Sequence, residues 1–183
     1  MEEINPQKTL PSQVAPVLAA IDLGTNSCRL LVARLDNNGM KIIDSFSRVV
    51  RLGEGIQKTG LLSTAAIDRT IDALRVCQGK IEHNQAQRVR AVTTEACRRA
   101  RNSDFLLQRA QKELHINLEV ISSAEEARLA LTGCAAMLDP KFPYALTFDI
   151  GGGSTEVMWL KLNTHASGKI YRRQLPAPQV LDW

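Results

Sequence analysis

The sequence predicts an α/β protein: one unit in the order βββαβαβα, a mixed sheet with helices packed on it, followed by the first strands of a second copy. Three observations lead there. Strand-like apolar runs starting near Val17, Cys28 and Met40 follow one another with only short turns between them, so the chain opens as an antiparallel meander. Beyond them apolar residues adopt helical spacing and alternate with short strands, which places helices on the faces of the sheet. Finally, the pattern of Val17 to Ser27, apolar strand, Asp, apolar residue, glycine and hydroxyls, returns at Leu146 to Glu156. A repeat of this kind speaks first for two related domains.

Taken in order, residues 1–16 hold Pro6, Pro11 and Pro16 among polar residues and are expected to form a loose tail. Strand one starts near Val17, strand two covers roughly Cys28 to Leu35, and strand three runs from Met40 to about Leu52 after an Asn37-Asn38-Gly39 turn. Gly53, Gly55 and Gly60 mark a loop; its Lys58-Thr59 resembles the end of a P-loop, but Gln57 occupies the position that needs Gly. Ser63 is placed to cap a helix with Ile67, Ile71, Leu74 and Ile81 on one face. Arg88 to Val92 is a short strand ending at Thr93-Thr94. Ser103 is expected to cap a helix from Asp104 to about Leu114, and Ile116, Leu118 and Val120 alternate as a strand. A third helix carries Ala127, Ala130, Leu131, Cys134 and Met137 on one side.

Asp139-Pro140-Lys141 breaks the chain, so the first domain is expected over 17–138 and the second over 142–183. Tyr144 to Ile150, Thr155 to Leu162 and Lys169 to Leu175 would be the second domain's strands. On this reading the second copy is truncated, and the chain is expected to be a piece of a longer protein with little activity alone.

Composition narrows the partners. Of 183 residues, 44% are hydrophobic, enough for a packed core, but only 4% are aromatic, which leaves few platforms for stacking bases. Nucleic acid is therefore not expected. The net charge is +4, and Arg88, Arg90, Arg98, Arg99 and Arg101 crowd into one stretch that suits an acidic partner or a solvated basic face. Cys28, Cys77, Cys97 and Cys134 lack paired spacing and read as reduced cysteines of a cytoplasmic protein, mostly buried. His83, His115 and His165 stand apart from one another, without zinc-site spacing. No long apolar stretch marks a membrane span, so no membrane partner is expected. A homodimer is left open for the full-length protein.

The chemistry concentrates in the repeated turns. In Asp149-Ile150-Gly151-Gly152-Gly153-Ser154-Thr155-Glu156, glycines let backbone N–H groups approach an anion and the hydroxyls add donors. Asp149 would repel a phosphate unless a divalent cation lay between them, and carboxylate plus phosphate oxygen is a common magnesium environment. One copy alone could equally be a glycine hairpin whose Asp bonds its own turn. The upstream Asp22-Leu23-Gly24-Thr25-Asn26-Ser27 makes the phosphate cradle the better reading. Strand ends gather ligands in open α/β sheets, which adds Thr93-Thr94 and the Ser122-Ser123-Ala124-Glu125-Glu126 segment. Arg98, four residues past Thr94, is the basic residue best placed to reach a phosphate. Either Ser122 with Glu125 or Ser123 with Glu126 satisfies a capping box, and the remaining glutamate is available to the cleft.

Asp22 to Ser27, Thr94 to Ala100 with Arg98 and Ala100, Glu125-Glu126-Ala127-Arg128-Leu129 and Asp149 to Glu156, in chain order within about Val17 to Leu162, together resemble the exopolyphosphatase and guanosine pentaphosphate phosphatase (Ppx/GppA) family of the ribonuclease-H-like, actin-like ATPase superfold. The resemblance implies magnesium-dependent hydrolysis releasing terminal orthophosphate from polyphosphate or guanosine pentaphosphate. It implies Glu126 as the general base, and Asp22, Asp149 and Glu156 as the residues that hold the metal. Gly24, Thr25, Asn26, Ser27, Arg98, Gly151, Gly152, Gly153, Ser154 and Thr155 would then contact phosphate. A kinase or ATPase of the same superfold, or a non-catalytic polyphosphate-binding module, are the alternative readings.

Overall fold

In the computed structural model, residues 15–36, 39–139, 141–153, 155–162 and 179–180 are described. Strand β1 (Val17–Leu23) lies at the centre of a five-stranded sheet, and its alternation explains why. Val17, Ala19, Ile21 and Leu23 are buried on one side, while Leu18, Ala20 and Asp22 point to the other. β2 (Ser27–Asp36) pairs with it antiparallel and β4 (Arg88–Thr93) parallel; β3 (Gly39–Val49) and β5 (Leu118–Val120) complete the order β3-β2-β1-β4-β5. The sheet is mixed, as the sequence predicts.

The buried face packs on α2 (Thr64–His83) and α4 (Ser103–Leu114). In α2, Ser63 Oγ accepts the Ala66 N–H at 3.2 Å, and Ile67, Ile71 and Leu74 enter the core at helical spacing. Thr70, also buried, satisfies its hydroxyl on the Ala66 carbonyl at 2.8 Å. α4 sends Leu106, Ala110 and Leu114 into the same core.

Several local expectations need correction. β3 stops at Val49 instead of Leu52, because the next two N–H groups, of Val50 and Arg51, turn to the Asn26 carbonyl at 2.9 and 3.0 Å. Ser103 does not cap α4; Asn102 stands at that position and uses its side chain to hold the Leu62 N–H (2.8 Å) and carbonyl (3.0 Å). Two short helices, α1 (Ile56–Thr59) and α3 (Glu95–Arg99), interrupt segments where no helix was predicted. With four and five residues they are too brief to show a periodic face.

α5 (Ser123–Cys134) lies between this sheet and the next one, which has the order β6 (Tyr144–Ile150), β7 (Thr155–Lys161), β8 (Gln179–Val180), all antiparallel. Ala127 and Leu131 of α5 make a small core with Met158, Leu160 and Leu162. Cys134 and Met137 do not share it: α5 ends at Cys134, a 3₁₀ turn follows, and both side chains are exposed. Cys28, Cys77 and Cys97 are buried, with the Cys28 and Cys77 Sγ atoms 3.9 Å apart. The tail over 1–14, the Asn37-Asn38 turn and the Lys169 to Leu175 strand lie outside the described residues. Among the described residues no helix is long and apolar enough to cross a membrane.

Candidate active site

The first glycine turn closes with Gly24 N–H donating to the Ser27 carbonyl at 2.9 Å. Two of its carbonyls are tied from behind: Thr25 accepts from Gly53 N–H at 2.9 Å, and Asn26 from Val50 and Arg51. In a trans peptide the N–H points opposite the carbonyl of the same unit, so the Asn26 N–H faces away from the Gly53 N–H that ties the Thr25 carbonyl. The second turn packs against this stretch. A Cβ built on Gly152 would stand 2.8 Å from Asn26 Cβ and 3.3 Å from Asn26 N, and one on Gly153 would stand 2.8 Å from Thr25 Oγ1. Close approach, not backbone conformation, is what demands glycine at both places.

The two turns, far apart in the chain, thus meet on the open face of the first sheet. A cavity of about 940 Å³ lies there, with Asp22, Arg29, Glu126 and Asp149 on its walls together with the turns. The Asp22 carboxyl is pushed above the usual aspartate range, mostly by burial; Arg29 opposes the shift and Asp149 adds to it. The strand register pairs Glu156 with Asp149 across β6–β7. Thr155, at the start of β7, is exposed, and Ser154 lies outside the described residues.

Whether these groups fit magnesium can be judged from the donor set. No cluster of three or more metal-ligating side chains occurs among the described residues. Two carboxylates beside two phosphate-type turns are nonetheless what magnesium takes, since it keeps several waters and binds one or two carboxylates plus substrate phosphates. Asp22 and Asp149 would hold it.

At the start of α5 the two glutamates separate. Ser122 is the cap: its Oγ accepts the Glu125 N–H at 3.2 Å and its carbonyl the Glu126 N–H at 2.9 Å. The Glu125 carboxylate is held by Arg128 at 2.6 and 2.9 Å and by Arg90 at 3.2 Å, bonds that draw its pKa down to about 2. One position on, Glu126 turns to the cavity and accepts from Arg98 Nη1 at 2.8 Å.

Arg98 is more committed than its place in the sequence suggests. Its Nε and Nη2 donate to Glu95 Oε2 at 3.2 and 2.9 Å, and Nη1 also reaches the Ile121 carbonyl at 2.8 Å. Four of the five guanidinium N–H groups are engaged. All three charged side chains are largely withdrawn from solvent, with 17% exposure for Arg98, 21% for Glu95 and 19% for Glu126. Glu95 is the residue that sequence reasoning missed. The available signal was its spacing, three residues before Arg98, at which side chains meet on a helix. The rest of the basic stretch is partly absorbed as well: Arg90 pairs with Glu119 at 3.1 Å, and Arg101 donates to the Thr59 carbonyl at 3.1 Å.

Sheet order and paired turns define the class, an actin-like ATPase fold. The chain belongs to the Ppx/GppA phosphatase family, whose profile matches residues 31–170. It is 34% identical over 156 residues to the guanosine-5'-triphosphate,3'-diphosphate pyrophosphatase of Aeromonas hydrophila, covering 85% of this chain and 31% of that protein. Among solved structures, the Aquifex aeolicus Ppx/GppA family member superposes with a TM-score of 0.75 at 33% identity, over 91% of this chain and 51% of the other. An exopolyphosphatase from Cytophaga hutchinsonii gives 0.78 at 29% identity, over 91% and 50%. The chain spans less than half the length of the curated relatives it matches, 43% and 31% for the first two.

Proposed function

We propose that this chain carries the base and the phosphate turns of a phosphohydrolase that releases terminal orthophosphate from inorganic polyphosphate or guanosine pentaphosphate. The observation that carries the reading is the separation of the glutamates. Glu125 is off the cavity wall and bound by Arg128 and Arg90, whereas Glu126 faces the cavity in which both turns and both aspartates meet. In the proposed step Glu126 takes a proton from water as the water oxygen bonds to the terminal phosphorus. The bridging P–O bond breaks and its electron pair leaves with the shortened polyphosphate or nucleotide. Arg98, fixed by Glu95 and the Ile121 carbonyl, holds the Glu126 carboxylate in place and does not itself line the cavity, so its part is positioning the base. Magnesium, when bound, would neutralise charge on the transferring phosphoryl group.

The N–H of Asn26 and the glycine turns would cradle phosphate oxygens, with Ser27, Ser154 and Thr155 as hydroxyl donors and Glu156 near the metal. For the 183-residue chain by itself we expect little turnover, because the hairpin bearing Asp149 has one apolar face uncovered. The test is phosphate release by the full-length protein on polyphosphate and guanosine pentaphosphate side by side. Chelator should stop release on the better substrate and added magnesium restore it. Full activity in excess chelator would remove the metal from the reading, and absence of release from either substrate would remove the reading.

A further inference from the structure

A second cavity, about 370 Å³, adjoins the place where the turns meet and shares Thr25, Gly152 and Gly153 with the main cleft. Its other walls come from the loop that holds the first turn and from α3, with Lys58, Glu95 and Arg99 as the charged lining. The two cavities have opposite charge balance. In the main cleft Asp22, Glu126 and Asp149 face Arg29 and Arg90, and Arg90 is already engaged by Glu119 and Glu125. A phosphate entering there needs an added cation. In the second cavity Glu95 is the one acid, and Arg98, shared with Glu126, engages it at 2.9 Å from outside the lining. Arg99 reaches Glu95 only at 3.8 Å, and Lys58 has no ion pair among the described residues. Lys58 and Arg99 against the single carboxylate of Glu95 leave the lining net positive toward an anion. The lining has no aromatic ring, so it offers a nucleobase nothing to stack on.

We propose that this cavity is a phosphate subsite that works without a metal, with Lys58 and Arg99 as its cationic ligands. The inference rests on the phosphohydrolase reading and extends it. A phosphate chain lying across Thr25 and the Gly152-Gly153 turn would reach both cavities, with its reacting end in the acidic cleft and a neighbouring phosphate in the basic one. Released orthophosphate carries the same chemistry and could use the same cations. A guanosine would find no ring to stack on there, so the subsite favours inorganic polyphosphate.

The experiment is calorimetric titration of the 183-residue chain in excess chelator, with tripolyphosphate in one arm and orthophosphate in the other. Tripolyphosphate should bind without metal, and Lys58→Gln with Arg99→Gln should weaken it about tenfold or more, since a hydrogen bond to a charged group is worth about 1.5–3 kcal/mol. Circular dichroism confirms that the variant is folded. Loss in the orthophosphate arm too assigns the site to a single phosphate dianion; loss in the tripolyphosphate arm alone assigns it to the chain. Unchanged affinity for both ligands in the folded double variant would overturn the proposal. The main cleft is read separately. Added magnesium should create further binding that Asp149→Asn removes while leaving metal-free affinity intact; if no such binding appears, the metal-bridged cleft is wrong whatever the second cavity does.

Discussion

The two hairpins share a sequence pattern and differ in what supports them. β1–β2 sits inside a five-stranded sheet, has its apolar face covered by α2 and α4, and has its turn tied from behind by the N–H groups of residues 50, 51 and 53. β6–β7 has a two-residue strand on one edge and packs one face on Ala127 and Leu131 of α5. Its other face leaves Phe148, Ile150 and Trp159 exposed, Phe148 to 62%. The pattern therefore shapes each turn, but neighbours decide where the turn stands. The first hairpin is a fixed platform carrying Asp22. The second is located by contact, Gly152 and Gly153 against Thr25 and Asn26.

The base belongs to neither hairpin but to α5, which packs on the second, and the largest loss is expected there. Glu126→Gln in the full-length protein should lower turnover about 10²–10⁴-fold, the usual contribution of a general base, with polyphosphate binding nearly kept. Glu125→Gln breaks exposed ion pairs worth about 0–1 kcal/mol and should cost about fivefold at most. Equal losses in the two variants would undo the assignment of cap and base.

A smaller loss is expected where the platform meets its partner. Gly153→Ala places a methyl group 2.8 Å from Thr25 Oγ1, inside ordinary contact distance, so the turns must part. A misplacement of about 1 Å can cost about 10²-fold, and phosphate release should fall by that order. Gly133→Ala is the control: it lies in α5 with nothing near the added Cβ, and alanine favours a helix. If Gly153→Ala were as active as the control, the second turn would be held by something other than the first.

Much of this was legible in the sequence because periodicity reports burial. The helical faces of α2 and α4, the meander and both aspartates at their turns follow from spacing alone. The meeting of the two turns in the candidate site was legible where a motif repeats. What escaped depended on long-range partners: β3 ends early because Asn26, far upstream, takes its N–H groups, and Asn102 abandons its cap for Leu62. The choice between Ser122 and Ser123 as cap had no local answer; the arginines that take Glu125 decide it, and Arg90 comes from another strand. Glu95 carries no motif. Its role exists only because Arg98 reaches Glu126 on a separate helix.

The subtlest consequence is electrostatic and needs neither substrate nor metal. Asp22 belongs to the platform and Asp149 to the docked hairpin, yet Asp149 helps burial to raise the Asp22 pKa, against the pull of Arg29. The sign is opposite to that of a paired aspartate. With the folded value above the ordinary 3.8, the folded state holds a proton that the unfolded chain has released, so stability falls as pH rises through that window, and the deficit persists at neutral pH. Asp149→Asn should then shift the Asp22 titration down toward the ordinary value, while Arg29→Gln should shift it up. Carbon-13 NMR of the Asp22 carboxyl, recorded without divalent cation, follows both. The Asp149 substitution should also lift the melting temperature slightly near neutral pH and leave it unchanged in acid below both values, where Asp22 is neutral in either state. An Asp22 titration indifferent to Asp149 would mean that the carboxylates do not face each other, and the docked position of the second hairpin would fall with it.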